Sequence, residues 1–253
     1  MDLGLTGKKV VIGGASRGIG RTIAQTFLTE GAAVALCARD KEKLNETAAE
    51  LSAFGEVVPV AADVRDRDAV ADYVGQAAAE LGGVDVVIAN ASAGSGRGPR
   101  SWQDSFETDL LGLVWLIEAA KPHLTASDAG SVVAIGSTNA LEAGPLPTDD
   151  SYGAMKAAVI QHALAKSRSW ARKGIRVNAV SPGPVFFDGG SWDTIRQSMP
   201  ALYDTAVENT GLGRLATPED VARAVTFLSS PAAGHITGVN LVVDGGFTRR
   251  FAS

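Results

Sequence analysis

Tyr152 and Lys156 stand four residues apart in the segment Asp150-Ser151-Tyr152-Gly153-Ala154-Met155-Lys156, a spacing that puts both on one face of a helix. A free tyrosine titrates near pH ~10. An ammonium beside it favours the phenolate and brings the phenol into use as an acid or base. Ser137 closes a preceding apolar run and can donate a hydrogen bond to a reacting carbonyl. The three can orient a carbonyl or an alcohol while a nicotinamide exchanges hydride. A Tyr–Lys pair by itself is also a common surface arrangement, so the chain must supply the cofactor half elsewhere.

Lys8-Lys9-Val10-Val11-Ile12-Gly13-Gly14-Ala15-Ser16-Arg17-Gly18-Ile19-Gly20 offers that half. An apolar run passes straight into glycines, and a helical pattern follows. Gly14 suits a tight turn, Gly18 lets a phosphate approach the backbone, and Gly20 permits close packing of helix on sheet. The helix N-terminus beyond them presents unpaired N–H groups and a favourable dipole to a pyrophosphate. The next strand ends Leu36-Cys37-Ala38-Arg39-Asp40, where NAD enzymes commonly carry an acidic residue for the ribose. Arg39 and Arg17 can instead embrace a 2'-phosphate through their donor forks, which favours NADP(H) over NAD(H). The competing reading makes Arg39 a solvated residue and Asp40 a helix cap. Asp63, after the third strand, can accept from an adenine amino group, while helix capping near Asp66 explains the acidity there equally well.

These groups need a scaffold, and the chain alternates short apolar runs with helical patterns throughout. Candidate strands are 9–12, 33–38, 57–61, 84–89, 131–135, 176–180 and 239–243, with helices such as 18–30 and 67–81 between them. Units of this kind need crossover connections, so a mainly parallel sheet covered on both faces is expected. Asp66 is placed to cap the helix running to Leu81, and Gly82-Gly83 to stop it. Thr217-Pro218-Glu219-Asp220 reads as an N-cap, a first-turn proline and an N3 acid, with Val221, Val225 and Leu228 on the buried face. Residues 182–199 break the alternation, as either a substrate lid or an irregular connection, and their place after a strand favours the lid.

The chain has 253 residues, 45% hydrophobic and 20% charged, with a formal net charge of -5. That is the balance of a globular protein whose length suits a single domain, here 1–253. The absence of a long basic run argues against nucleic acid as a partner. No stretch approaches the roughly 20 apolar residues that cross a bilayer, and the opening Met1-Asp2-Leu3-Gly4-Leu5 lacks a secretory pattern, so a cytoplasmic location and no membrane partner are expected. The one cysteine, Cys37, lies in an apolar run and reads as a small buried hydrophobe.

Taken together, these segments resemble the short-chain dehydrogenase/reductase family over nearly the whole chain. Its Thr-Gly-x-x-x-Gly-x-Gly motif falls on Gly13, Gly14, Gly18 and Gly20, and its Tyr-x-x-x-Lys on Tyr152 and Lys156, with Ser137 where the family keeps a serine. Arg176-Val177-Asn178-Ala179-Val180-Ser181-Pro182-Gly183 is similar to its strand and Pro-Gly turn. Ile236-Thr237-Gly238 and Val243-Asp244-Gly245-Gly246 are similar to its C-terminal signature. The resemblance implies a doubly wound α/β (Rossmann) sandwich with a seven-stranded parallel sheet, no metal, and a homotetramer (or a dimer) built partly through the Tyr152 helix and the C-terminal region, while the lid suggested by the residues themselves is placed over 184–210. It implies that Tyr152 moves the proton, Ser137 positions the oxygen, and Lys156 holds the nicotinamide ribose. It adds Ser16, Ile19, Val64, Asn90, Pro182, Gly183 and Val185 to the cofactor-binding set.

Four departures stand out. Gly13 replaces the motif's threonine. The family's Asn-Asn-Ala-Gly becomes Ala89-Asn90-Ala91-Ser92. Asp109 stands where an asparagine is usual, one whose backbone carbonyl fixes a water leading to the lysine; Asp109 can keep that backbone role, strengthen the lysine's positive state or alter the relay, and it ranks below Ser137, Tyr152 and Lys156 as a catalytic candidate. The nicotinamide-binding threonine after the Pro-Gly turn gives way to Pro184-Val185-Phe186-Phe187-Asp188, where either phenylalanine can pack near the ring and Asp188 can accept from the amide. Phe186, Phe187, Trp192, Met199, Leu202 and Tyr203 favour an apolar or cyclic carbonyl substrate. Arg97 and Arg100 read as solvated loop charges, and Asp149 and Asp150 as helix-capping or anion-excluding acids. The competing function classes are a non-catalytic dinucleotide sensor and a structural subunit of an oligomer.

Overall fold

The computed structural model describes residues 2–95, 98–142 and 150–249. Arg97 and Asp149 lie outside the described residues, as does the side chain of Asp150. Seven strands form one sheet: β1 (Lys9–Gly13), β2 (Ala33–Ala38), β3 (Val57–Ala61), β4 (Val86–Ala89), β5 (Ser131–Ile135), β6 (Arg176–Pro182) and β7 (Asn240–Val243). Every pairing is parallel, in the order β3-β2-β1-β4-β5-β6-β7. The connecting helices are α1 (Gly18–Thr29), α2 (Lys41–Leu51), α3 (Arg67–Leu81), α4 (Ser101–Ser105), α5 (Gly112–Ala126), α6 (Asp150–Trp170), α7 (Ser191–Ser198), α8 (Pro200–Asn209) and α9 (Pro218–Ser229).

Successive strand residues serve opposite faces, as the two-residue period requires. Val11, Ala35, Val87 and Val132 pack into one core with residues of α3, α5 and α6. Val10, Ile12, Val34, Leu36 and Ile88 pack into the other with α1, α2 and α9. Because both faces are covered, the central strands read as continuous apolar runs rather than as alternation. Cys37 belongs to the first of these cores, and burial pushes its thiol up to about 12, which suits packing and not nucleophilic chemistry.

The caps lie where the side chains can serve them. Asp66 accepts from Asp68 N and Ala69 N, and Gly82 ends α3 with a φ of 75°. Thr217 and Asp220 form a reciprocal capping box around Pro218. Residues 182–199, which break the alternation in the sequence, contain α7, and α8 follows with Pro200 opening it. β6 runs beyond Val180 to Pro182, which pairs with Val243. The expected strand 84–89 begins only at Val86, because Asp85 turns its carboxylate to Lys9 N at 2.9 Å and Ser127 Oγ at 2.5 Å.

The two segments at the start of β6 and before β7 turn out to hold each other. Arg176 donates to the carbonyls of Leu228, Ile236, Ser229 and Ser230, closing the C-terminal end of α9. Asn178 donates to Ile236 O and accepts from Val239 N, while Thr237 Oγ1 accepts from Val177 N. These motif residues brace the sheet edge that carries the Pro182-Gly183 turn.

Candidate active site

β1 lies between β2 and β4, so the chain reverses its winding direction there, and a crevice opens beyond the carboxyl ends of β1 and β4. The β1–α1 turn occupies that crevice. Gly14 N and Ala15 N both donate to Cys37 O, at 2.9 and 3.0 Å, and Gly14 adopts a φ of 78°. A Cβ on Gly14 would sit 2.7 Å from Ala91 Cα, and one on Gly20 would collide with the Gly14 carbonyl oxygen. Only residues without a Cβ allow this closeness of turn, helix and neighbouring strand. Asn90 Nδ2 donates to Gly14 O at 2.6 Å, and Thr47 Oγ1 to Ser16 O at 2.9 Å, so the turn is braced from two sides.

The N-terminus of α1 has no side-chain cap to compete with an anion. Its N-cap, Arg17, makes no side-chain capping bond, and no acid stands in the first turn. Ile19 is half-buried behind the turn. Arg17 and Arg39 are both exposed and, among the described residues, neither enters an ion pair. Asp40 accepts from Lys43 N and caps α2. Asp63 is engaged by Arg65 through Nη2 at 2.7 Å and Nε at 3.0 Å, contacts that hold its carboxyl below the usual range with a further contribution from Arg39. Its side chain is therefore committed locally. Val64 beside it is buried. A glycine turn closed to any side chain, an uncapped helix N-terminus and two free guanidiniums fit a dinucleotide phosphate.

The candidate chemical residues gather at the end of β5. Gly136 brings the chain close to β6 and α6, since a Cβ there would lie 2.7 Å from Ser181 Oγ and 2.9 Å from Ile160 Cγ1. Ser137 follows, buried, its Oγ accepting from Asn139 N at 3.2 Å. Gly153, one residue past Tyr152, lets α6 press against this turn, for a Cβ there would be 2.8 Å from Asn139 O. Sequence reasoning gave Gly153 no role, and only this contact reveals one. Tyr152 is half-buried, and its ring centroid lies 5.8 Å from Lys156 Nζ. Lys156 is 2% exposed and donates to Ile135 O at 2.9 Å.

Asp109 joins them on an element that the sequence did not announce, a turn of π-helix over Phe106–Leu111 between α4 and α5. Its Oδ1 lies 3.0 Å from Lys156 Nζ. Burial would lower the Lys156 ammonium; the charges of Asp109 and Tyr152 and the Asp109 contact more than offset it, and hold the lysine above its ordinary value.

After β6, Gly183 N donates to Val243 O, and Val185 is buried in a bridge with Ala216. Phe187 packs its ring on Gly18, where a Cβ would meet Cζ at 2.6 Å, and also on Gly190. Phe186 is engaged by other rings: it meets Tyr203 edge-on at 5.9 Å, and Trp192 meets Tyr203 at 6.5 Å. Of the two phenylalanines, Phe187 is the one whose ring is in close contact with Gly18. Asp188 is exposed.

A family model described as enoyl-(acyl carrier protein) reductase matches residues 14–248. The chain is a short-chain dehydrogenase/reductase. This family member is 38% identical to isoepoxydon dehydrogenase of Penicillium expansum over 252 residues, covering 97% of this chain and 96% of that protein. It is 36% identical to cis-4-hydroxycyclohexanecarboxylate dehydrogenase of Sinomonas cyclohexanicum, over 94% of this chain and 95% of that one. The crystal structure of L-sorbose reductase from Gluconobacter frateurii, complexed with NADPH and L-sorbose, superposes with a TM-score of 0.91 at 29% identity, covering 99% and 100% of the two chains.

Proposed function

We propose that this short-chain dehydrogenase/reductase interconverts a cyclic ketone and its secondary alcohol with NADP(H), with Tyr152 as the acid/base. The observation that carries this reading is the convergence of Ser137, Tyr152 and Lys156 at the end of β5. Bound NADP(H) supplies or accepts the hydride. Ser137 Oγ offers a hydrogen bond to the substrate oxygen, and the Tyr152 phenol gives it a proton in reduction or takes one in oxidation. Lys156, fixed by Ile135 O, holds the cofactor ribose and favours the phenolate. The glycine turn from Gly14 to Gly20, with Ser16 and Ile19, receives the pyrophosphate. Arg17 and Arg39 face the adenosine 2'-phosphate, and their freedom from ion pairs supports NADP(H). Val64, Asn90, Pro182, Gly183 and Val185 complete the cofactor wall.

A cyclic substrate is supported by the hydroxycyclohexane ring in one relative's name and by the dihydrobenzoate ring in that of a Bacillus subtilis relative, 32% identical. A cavity lined by Thr138, Asn139, Glu142, Asn209, Phe247, Thr248 and Arg249 adjoins the Ser137 turn. Its mixed walls suit a ring bearing polar substituents better than a wholly apolar compound. Residues 184–210 act as a lid over this space, and the chain assembles as a homotetramer in the cytoplasm.

A screen of NADPH and NADH oxidation over aliphatic, aromatic and cyclic ketones tests the reading. Turnover is expected with cyclic ketones and NADPH, and Tyr152→Phe is expected to lower it by at least about 100-fold. Turnover that survives loss of the phenol would overturn the mechanism.

A further inference from the structure

Two of the departures from the family pattern, Ser92 and Asp109, touch each other. Ser92 Oγ donates to Asp109 Oδ1 at 2.6 Å, the same oxygen that faces Lys156 Nζ at 3.0 Å. Ala93 N donates to Asp109 Oδ2 at 2.9 Å. Asp109 is 3% exposed and Lys156 2%. A buried ion pair is tolerable only where further hydrogen bonds satisfy both groups. Here the carboxylate has three donors and the ammonium two acceptors, so the pair is built to remain ionised.

We propose that Ser92 and Asp109 act as one unit, a fixed counter-ion that keeps Lys156 charged and aimed. They are positioning residues, because they reach the cofactor only through the lysine and through the loop after β4. That loop carries Ala91 against Gly14 and Asn90 onto Gly14 O. One carboxylate therefore links the lysine to the floor of the glycine turn. Where the family usually carries an asparagine, this chain places a carboxylate in direct ion-pair contact with the lysine.

The groups that face Lys156 support this. Asp109 from the π-turn and Tyr152 from its own helix are the charged or titratable neighbours acting on it. Ile135 of β5 offers a carbonyl. Glu107, on the same turn as Asp109, accepts from Gln103, and Asp104 of α4 lies towards Arg65. Burial would lower the ammonium, and the largest opposing influence is Asp109. Without the carboxylate, the lysine should lose its proton, and its hold on the ribose, at a lower pH.

The proposal rests on Lys156 contacting the dinucleotide, and its test reads binding rather than turnover. NADPH fluorescence gives Kd for the wild type and for Asp109→Asn at about pH 7 and about pH 9.5, below the ordinary lysine range. The wild type should bind about equally at both. Asp109→Asn should bind near wild-type strength at the lower pH and about tenfold more weakly at the higher, the loss of one charge-assisted bond. A variant whose Kd matches the wild type at both values, or is weakened equally at both, overturns the proposal. Should Asp109→Asn fail to fold, Asp109→Asn/Ser92→Gly, which restores the usual pair together, is read in the same way. Activity in Tyr152→Phe would sink the acid/base reading and leave this one standing.

Discussion

At the scale of single residues, charge and its partners separate the groups that serve chemistry from those that serve the fold. Asp63 looked available to an adenine and Asp40 to a helix cap, and both are engaged within a few residues of themselves, by Arg65 and by Lys43 N. Arg17 and Arg39 have no such partner among the described residues and stay in water. An exposed guanidinium adds little to stability but can bind a phosphate bidentately. Arg39→Ala should therefore raise KM for NADPH about tenfold or more while leaving KM for NADH about unchanged, as steady-state assays with both coenzymes would show. An equal effect on both would remove Arg39 from the 2'-phosphate site.

At the scale of elements, the helices are held at their ends by short-range devices that a linear reading can find. Thr217, Pro218 and Asp220 act within one turn, so their spacing alone specified the start of α9. Thr217→Ala should lower the unfolding free energy by about 1 kcal/mol, measured by urea denaturation, without changing KM. The other end of α9 was not legible, because Arg176 reaches its carbonyls from a strand far away in the chain. The π-turn at Phe106–Leu111 was equally hidden. It carries no glycine or proline to mark it, and the lysine that its Asp109 meets lies on a different helix. Both cases show local rules failing where an element's shape is set by a distant partner.

At the scale of the molecule, the parallel sheet places the loops proposed to hold the cofactor at the carboxyl ends of its strands. The edge strand β7 leaves Leu241 partly exposed, and Val239 just before it likewise, at 37% each. Exposed apolar residues beside an open strand edge favour association with another copy. Light scattering should give a mass about four times the 26.0 kDa of one chain, unchanged by Tyr152→Phe. A mass of one chain would overturn the tetramer.

The sequence by itself determined the alternation of strands and helices, the glycine turn, the caps at Asp66 and Thr217, and the Tyr152–Lys156 face. Each depends on a few neighbouring residues and on the period of the backbone. Only the tertiary structure decided that Asp109 and Ser92 meet Lys156, that Gly153 lies against Asn139, that Phe187 rather than Phe186 covers Gly18, and that Asp63 is spent on Arg65. Most of these contacts join segments brought together by strand order and packing. Asp63 and Arg65 are sequence neighbours, but which way that carboxylate turned was a choice between two partners. Residue type and spacing constrain the first kind of fact, whereas the second exists only once the sheet has closed.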